Sequence, residues 1–385
     1  MRSSASPAAR SSSTSSSRVS RAVAWVGGAV LRREPYRLLF PLGALLAWAG
    51  VLPWLFFAFR LRSIYEPVTG VLAYRSFLHP LAELDGFLGC FAAGVILTAL
   101  RPPPAGWQIV VAAVAPLISA TCAAIGQWQL GQVASLALLA VMLQFTLRRL
   151  SRPLSPSLLW IAFGFLMGAG GAAVAELAAT RGSSWFWVHE MGRDLVIQGL
   201  FTGLAVGAGR VMRTGDRTHP ALHLVAGAVF IASFWVGPRF GTHLGFAIRA
   251  AVTIWLALPL RPEWEFGPRN LRRSFAHLAL WMLAVGNAWI AVAPQIRRAG
   301  LHVIFLGCFT ALLLAALFPR AGEAPAFPLR KLAWAGSLVA LSMIGRVMVE
   351  LDPTWFHLWM GISAASFLAA TIACLRVPVR TPQSV

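Results

Sequence analysis

Charge is what this chain has least of. Of its 385 residues only 12% are Asp, Glu, Lys or Arg, whereas soluble domains run at about a quarter, so a soluble enzyme is excluded. Acids are the scarcer sign, with 13 Asp+Glu against 33 Lys+Arg. The basic residues lie between long apolar runs and form no stripe, which is the distribution of membrane loops and excludes a nucleic-acid-binding face. Lysine is almost missing: Lys331 stands alone among arginines, a bias that reads as genomic base composition. The four cysteines, Cys90, Cys122, Cys308 and Cys374, all sit inside apolar segments, so neither a disulfide framework nor a CxxC metal site is indicated. There is no Walker loop, no GxGxxG before a helix, no HExxH and no GxSxG, and nothing argues for a catalytic nucleophile.

What the chain has in abundance is apolar length, with 58% hydrophobic residues and a mean hydropathy of +0.69. A helix rises 1.5 Å per residue, so about 20 apolar residues cross the roughly 30 Å of bilayer hydrocarbon. Windows of that kind fall at 38–59, 79–100, 107–126, 130–148, 157–178, 187–211, 221–238, 242–260, 274–294, 299–318, 331–350 and 355–376. The runs are continuous and do not alternate, which excludes membrane strands. The expected fold is therefore an all-α, polytopic integral membrane protein of about twelve transmembrane helices. Residues 1–36 read as a disordered Ser/Arg-rich cytoplasmic tail, 37–377 as the membrane domain and 378–385 as a short second tail. Pro-rich breaks such as Arg101-Pro-Pro-Pro104 separate the windows, and short loops imply antiparallel neighbours.

Basic loops stay on the cytoplasmic side. With the N-terminus inside, the inner loops carry sixteen Lys and Arg and the outer loops seven, so both termini are expected to be cytoplasmic. This orientation puts His79, His189, His243, His302 and His357 at the starts of windows that run inward, hence all at the outer level. His219, His223 and His277 fall toward the inner ends. A neutral imidazole is the usual ligand of haem iron and of copper; an interfacial one can equally hydrogen-bond to a headgroup or a carbonyl. Trp128, Trp185, Trp187, Trp355 and Trp359 cluster near outer loops and read as an interfacial aromatic belt.

Charges inside the windows need partners. Glu190 and Arg193 are spaced i,i+3 and form a local pair on paper, with Asp194 beside them. The stripe Gly199, Gly203 and Gly207, with Gly192 about 20° away, lets that helix pack closely, so Glu190, Arg193 and Asp194 are expected to face other helices and not lipid. Arg346 has Glu350 four residues on. Arg249 has no local acid and must reach across helices or hold a bound anion, a haem propionate being one. Glu263 and Glu265 are the paired acids a membrane transferase would need, but beside several arginines they read as a solvated turn. One internal match, Leu88-Gly-Cys-Phe-Ala-Ala93 against Leu306-Gly-Cys-Phe-Thr-Ala311, has the wrong offset for a two-times-six repeat and reads as shared small-residue packing.

At the level of motifs the chain resembles the NnrS family. Pro35-Tyr-Arg-Leu-Leu-Phe-Pro-Leu42 is similar to the family's opening Pro-Phe-Arg-x-Phe-Phe run. Gly86-Phe-Leu-Gly-Cys-Phe-Ala-Ala-Gly-Val-Ile-Leu-Thr-Ala-Leu100 resembles its Gly-Phe helix, and Leu301-His-Val-Ile-Phe-Leu-Gly307 its Leu-His helix. Phe275-Ala-His-Leu-Ala279 and Gly345-Arg-Val347 resemble two further stretches. The family's His-x-His-Glu-Met is represented by His79 alone, with Leu81, Ala82 and Glu83 at the other places, and its Gly-His-Thr-Gly reads Pro319-Arg-Ala-Gly322 here.

The resemblance implies a multi-pass protein of a bacterial inner membrane that binds haem, and copper as well, near its outer face in the response to nitric oxide and nitrosative stress. It implies no turnover. The cofactor-binding candidates are His79, His302, His277, Arg249 and Arg346, the metal candidates His79, His302, His189 and His243, and the remaining intramembrane polar residues Glu190, Arg193 and Asp194. Its expected partners are the lipid bilayer and a small ligand such as nitric oxide. The rival expectation is a secondary transporter or flippase for an anionic substrate, with Arg249, Arg346 and the charges Glu190, Arg193 and Asp194 lining its path.

Overall fold

The computed structural model describes residues 30–61, 78–150, 155–211, 219–258, 268–317 and 329–375. The N-terminal tail up to residue 29, the C-terminal tail 378–385, the acids Glu263 and Glu265, and loop arginines such as Arg213, Arg261 and Arg320 lie outside the described residues. Among those described, every regular element is helical, as continuous apolar sequence with no water to satisfy an open backbone requires. A helix stands at each of the twelve windows. They are α1 (Tyr36–Ala58), α2 (His79–Ala99), α3 (Gly106–Ala124), α4 (Trp128–Leu147), α5 (Pro156–Ala179), α6 (186–211), α7 (Pro220–Phe240), α8 (Thr242–Ala257), α9 (Pro268–Val292), α10 (297–317), α11 (Leu329–Leu351) and α12 (Phe356–Leu375).

Ten of these are long and apolar enough to cross a membrane. The other two are α8, at 16 residues, and α6, whose first turns carry Glu190, Arg193 and Asp194. The chain is a polytopic membrane protein.

Its helices follow a rule the sequence did not announce. The first and second helices of each consecutive group of four pack together, as α1 with α2, α5 with α6, and α9 with α10. The third and fourth pair likewise, and the fourth lies against the first of the next group, with α12 closing back onto α1. In each group the second helix alone contains a wide π-helical stretch: Ala82–Leu88, Leu195–Leu200 and Val303–Phe309. Immediately after or within it comes the same short motif, Gly89-Cys-Phe-Ala92, Gly199-Leu-Phe-Thr202 and Gly307-Cys-Phe-Thr310.

The packing repeats residue by residue. A Cβ on Gly171 would meet the Gly192 carbonyl at 2.6 Å and one on Gly192 the Gly171 carbonyl at 2.6 Å; Gly286 and Gly300 face each other in the same way at 2.8 and 2.9 Å. In the first group Ala82 stands where Gly192 and Gly300 do, seven residues before the motif glycine, and a Cβ on Gly50 of α1 would meet the Ala82 Cβ at 3.2 Å. The fold is thus three four-helix units arranged in a closed ring. The match between residues 88–93 and 306–311 is therefore two steps of a three-times-four repeat, which corrects its reading as incidental small-residue packing.

A second repeated contact crosses the third and fourth helices. Ser119 and Ser135 are 3.1 Å apart in the first unit, and Ser342 and Ser363 are 3.4 Å apart in the third. In the second unit Ser233 stands where Ser119 and Ser342 do, but its partner is Arg249, whose Nε donates to the Ser233 hydroxyl at 3.1 Å. An arginine thus occupies a place that serine fills elsewhere in the ring.

Candidate functional site

Two clusters of polar side chains lie inside the ring, and α10 contributes to both. Arg297 and His302 are five positions apart, which at about 100° per residue puts them some 140° apart around the helix.

The first cluster gathers on α6, α7, α8 and α10. Asp194 is 6% exposed and Arg249 1%. Asp194 Oδ1 accepts from Arg297 Nη2, and its Oδ2 lies 4.0 Å from Arg249 Nη1. Arg249 Nη1 donates to Gln198 Oε1 at 2.6 Å and Nη2 to the Ser233 carbonyl at 3.5 Å. Its guanidinium lies over the Phe234 ring at 3.8 Å and the Phe246 ring at 4.4 Å. Arg249, expected to need a partner across helices, has them on α6 and α7.

Asp194 points inward because α6 packs on α5 through its glycines. A Cβ at Gly199 would meet Met167, one at Gly203 the backbone of Gly164, and one at Gly207 the Ser157 carbonyl. Asp194 follows that packed face into the ring. Arg193 does not; its side chain is 53% exposed and bonds to Glu190 at 3.0 Å, a pair at the rim. Such pairs contribute about 0–1 kcal/mol.

The second cluster joins α1, α2, α10 and α11. His79 Nδ1 bonds to the Gly50 carbonyl at 2.9 Å, and His302 Nδ1 to the Arg298 carbonyl at 2.7 Å. A carbonyl only accepts, so each Nδ1 carries the proton and each neutral ring has its lone pair on Nε2. His302 stands within electrostatic reach of His79, Arg346 and Arg298, and His79 within reach of Arg346. Arg346 Nη1 donates to Glu350 at 3.1 Å, the i,i+4 pair read from the sequence.

The remaining histidines are dispersed. His189, on the first turn of α6, bonds through Nδ1 to the Ala175 carbonyl at 3.1 Å, an arrangement that repeats that of His79 one unit on. His243 is exposed at the start of α8. His277 is buried on α9 and accepts from Trp281 Nε1 at 3.1 Å through its own Nε2, which commits the atom a metal would need. His223 Nδ1 accepts from Trp160, and His219 caps α7 by accepting from the Ala221 N–H. No three His, Cys, Asp or Glu side chains come together as a metal cage among the described residues.

Several contributors escaped the sequence reading. Arg297 reads in the sequence only as one of the seven outer-loop basic residues, and Gln198 and Ser233 carry no signal there. Asp85 is buried on α2, where it accepts from Ser119 at 3.3 Å and from Ser135. Glu83, next to the His79 turn, has a buried Oε1 with no hydrogen-bond partner. Two acids two residues apart in an apolar run, Leu81-Ala-Glu-Leu-Asp-Gly-Phe87, are the signal available for the last two.

Neither the curated proteins nor the solved structures contain a match to this chain. The family model described as NnrS protein, in contrast, matches residues 30–379, which takes in both clusters and all twelve helices. The chain belongs to the NnrS family.

Proposed function

We propose that the chain holds haem between α2 and α10, with His79 and His302 as its iron ligands, in a bacterial inner membrane, and that it serves the response to nitric oxide. The observation that carries this reading is that two imidazoles on different helices, within electrostatic reach of each other, are each fixed by a backbone carbonyl at Nδ1. That bond sets the tautomer and the ring plane before any metal arrives and leaves Nε2 as the donor atom. The donor set fits a haem, which asks the protein for one or two axial ligands. Among the described residues no third His, Cys, Asp or Glu joins them to make a metal cage, so the reading names haem.

Haem would supply an iron that can take nitric oxide in place of one imidazole; the chain's own residues do the holding. The Gly50 and Arg298 carbonyls orient the rings, and Arg346, whose charge Glu350 matches, offers its remaining N–H groups to anionic substituents on a bound molecule. No turnover is proposed. Wild-type protein purified in detergent and supplied with haem should show a Soret band at about one haem per chain. His302→Ala and His79→Ala should lose occupancy or shift the band, while His219→Ala should leave it unchanged. Identical spectra from the four proteins would defeat the proposal.

The orientation belongs to the same reading, since it sets which side this cluster faces. A cytoplasm-active reporter should give signal when fused to the C-terminus or between residues 269 and 273, and none when fused at Arg297. The reverse pattern would put the histidines on the inner side.

A further inference from the structure

We infer that the Arg249–Arg297 cluster is a binding site for a small, free monoanion, either halide or oxyanion. This goes beyond the haem reading and does not depend on it.

Three observations lead there. The first is a cavity of about 230 Å³ lined by Phe186, Trp187, Asp194, Phe246, Arg249 and Arg297, with Glu190 at its edge. A water takes about 30 Å³ of liquid volume, so an anion of a few atoms fits there with part of its hydration.

The second is unspent donors. A guanidinium has five N–H groups. Arg249 uses one each on Ser233 Oγ, Gln198 Oε1 and the Ser233 carbonyl, which leaves two N–H groups, one on Nη1 that has only Asp194 Oδ2 at 4.0 Å and one on Nη2, on a side chain that is 1% exposed and lines the cavity. Nε of Arg297 is likewise buried with no partner. Buried donors of a charged group are costly to leave unmade, and an anion in the cavity is the acceptor they lack.

The third is charge. Arg249 and Arg297 share one carboxylate, Asp194. Glu190 is matched by Arg193, so the cavity carries an excess of one positive charge. Arg239 adds a second at the mouth, where its guanidinium stacks on Trp187 at 4.0 Å. The ring provides its own control: at the place of Arg249 the other two units have Ser135 and Ser363, each in a serine pair. The crossing itself needs no arginine, so the cation has been added to it.

The test uses the full chain in detergent, with sodium nitrate replacing sodium gluconate at constant ionic strength and the thermal unfolding midpoint as the readout. The wild-type midpoint should rise and saturate. In Arg249→Gln the half-saturating concentration should increase at least tenfold, and Arg297→Gln should move it in the same direction. Asp194→Asn, which removes the competing carboxylate at nearly constant shape, should lower it. A merely structural role would weaken the response in all three, so the opposite sign at Asp194 is decisive. Arg193→Gln, which leaves Glu190 of the cavity wall unmatched, should raise the half-saturating concentration, and Arg148→Gln, exposed at the end of α4, should match wild type. No saturation in wild type, or the same curve for every variant, would overturn the proposal. So would competition by haem that haem dimethyl ester fails to reproduce, which would give the site to a propionate.

Discussion

Replacing Gly203 with leucine is expected to prevent assembly of the ring, and even Gly203→Ala should lower the unfolding free energy measurably. A Cβ there would lie 2.4 Å from the Gly164 Cα, 2.5 Å from its N and 2.7 Å from the Trp160 carbonyl. These are backbone atoms of α5, which cannot rotate out of the way as the end of a side chain does. Overpacking by one methyl in a rigid contact costs about 1–3 kcal/mol, and leucine adds three more carbons to the same place. The check is the thermal midpoint and the monodisperse yield of detergent-purified protein. Gly170→Ala is the comparison, because a Cβ there meets nothing within 4 Å and alanine is the better helix former. Equal behaviour of Gly203→Ala and Gly170→Ala would mean that α5 and α6 are not in such close contact.

Asp194→Ala should destabilise the protein by about 3–5 kcal/mol, the usual result of removing one partner from a buried ionic group. The substitution takes away the carboxylate that Arg297 bonds and that stands 4.0 Å from Arg249. Two cations are then left facing each other in a site walled on one side by Phe234 and Phe246. The double variant Asp194→Ala/Arg297→Ala should be less damaged than the sum of its parts, since it removes a charge of each sign. Glu190→Gln, in the rim pair, should shift stability by no more than about 1 kcal/mol. Chemical denaturation in mixed micelles reads all four, and a small loss at Asp194 would show the carboxylate to be hydrated in place.

Much of the fold was legible because the bilayer admits so few solutions. An apolar run of spanning length has to be a helix, and the limits of α5 at Pro156 and of α8 after Gly241 are written in the residues that stop and start helices. The packed face of α6 was also legible, as glycines four apart. The three-unit ring was hidden because the units share almost no side chains. What they conserve is where backbones approach, as at Gly171 with Gly192 and Gly286 with Gly300, and a two-times-six template tests the wrong offset. The sites were legible only as types of residue. Arg249 was visible as a cation without a local acid, but its carboxylate lies on another helix and is shared with Arg297, and sequence separation carries no information about such a meeting. His277 illustrates the converse: its motif resembles the family's, while Trp281, one turn on, occupies its Nε2.

The wide stretches in α2, α6 and α10 put those helices out of phase with themselves. A π turn takes up one residue more than an α turn, so what precedes it is rotated by about 100° relative to an uninterrupted helix. His79, Asp194, Arg297 and His302 all precede such a stretch. Deleting one residue from Val303–Phe309 would barely shorten an apolar span, yet it would swing Arg297 away from Asp194 and His302 away from Arg346 together. In these three helices a one-residue gap in an alignment is a change of aim, and the clusters can be dismantled or re-pointed without altering any residue that belongs to them.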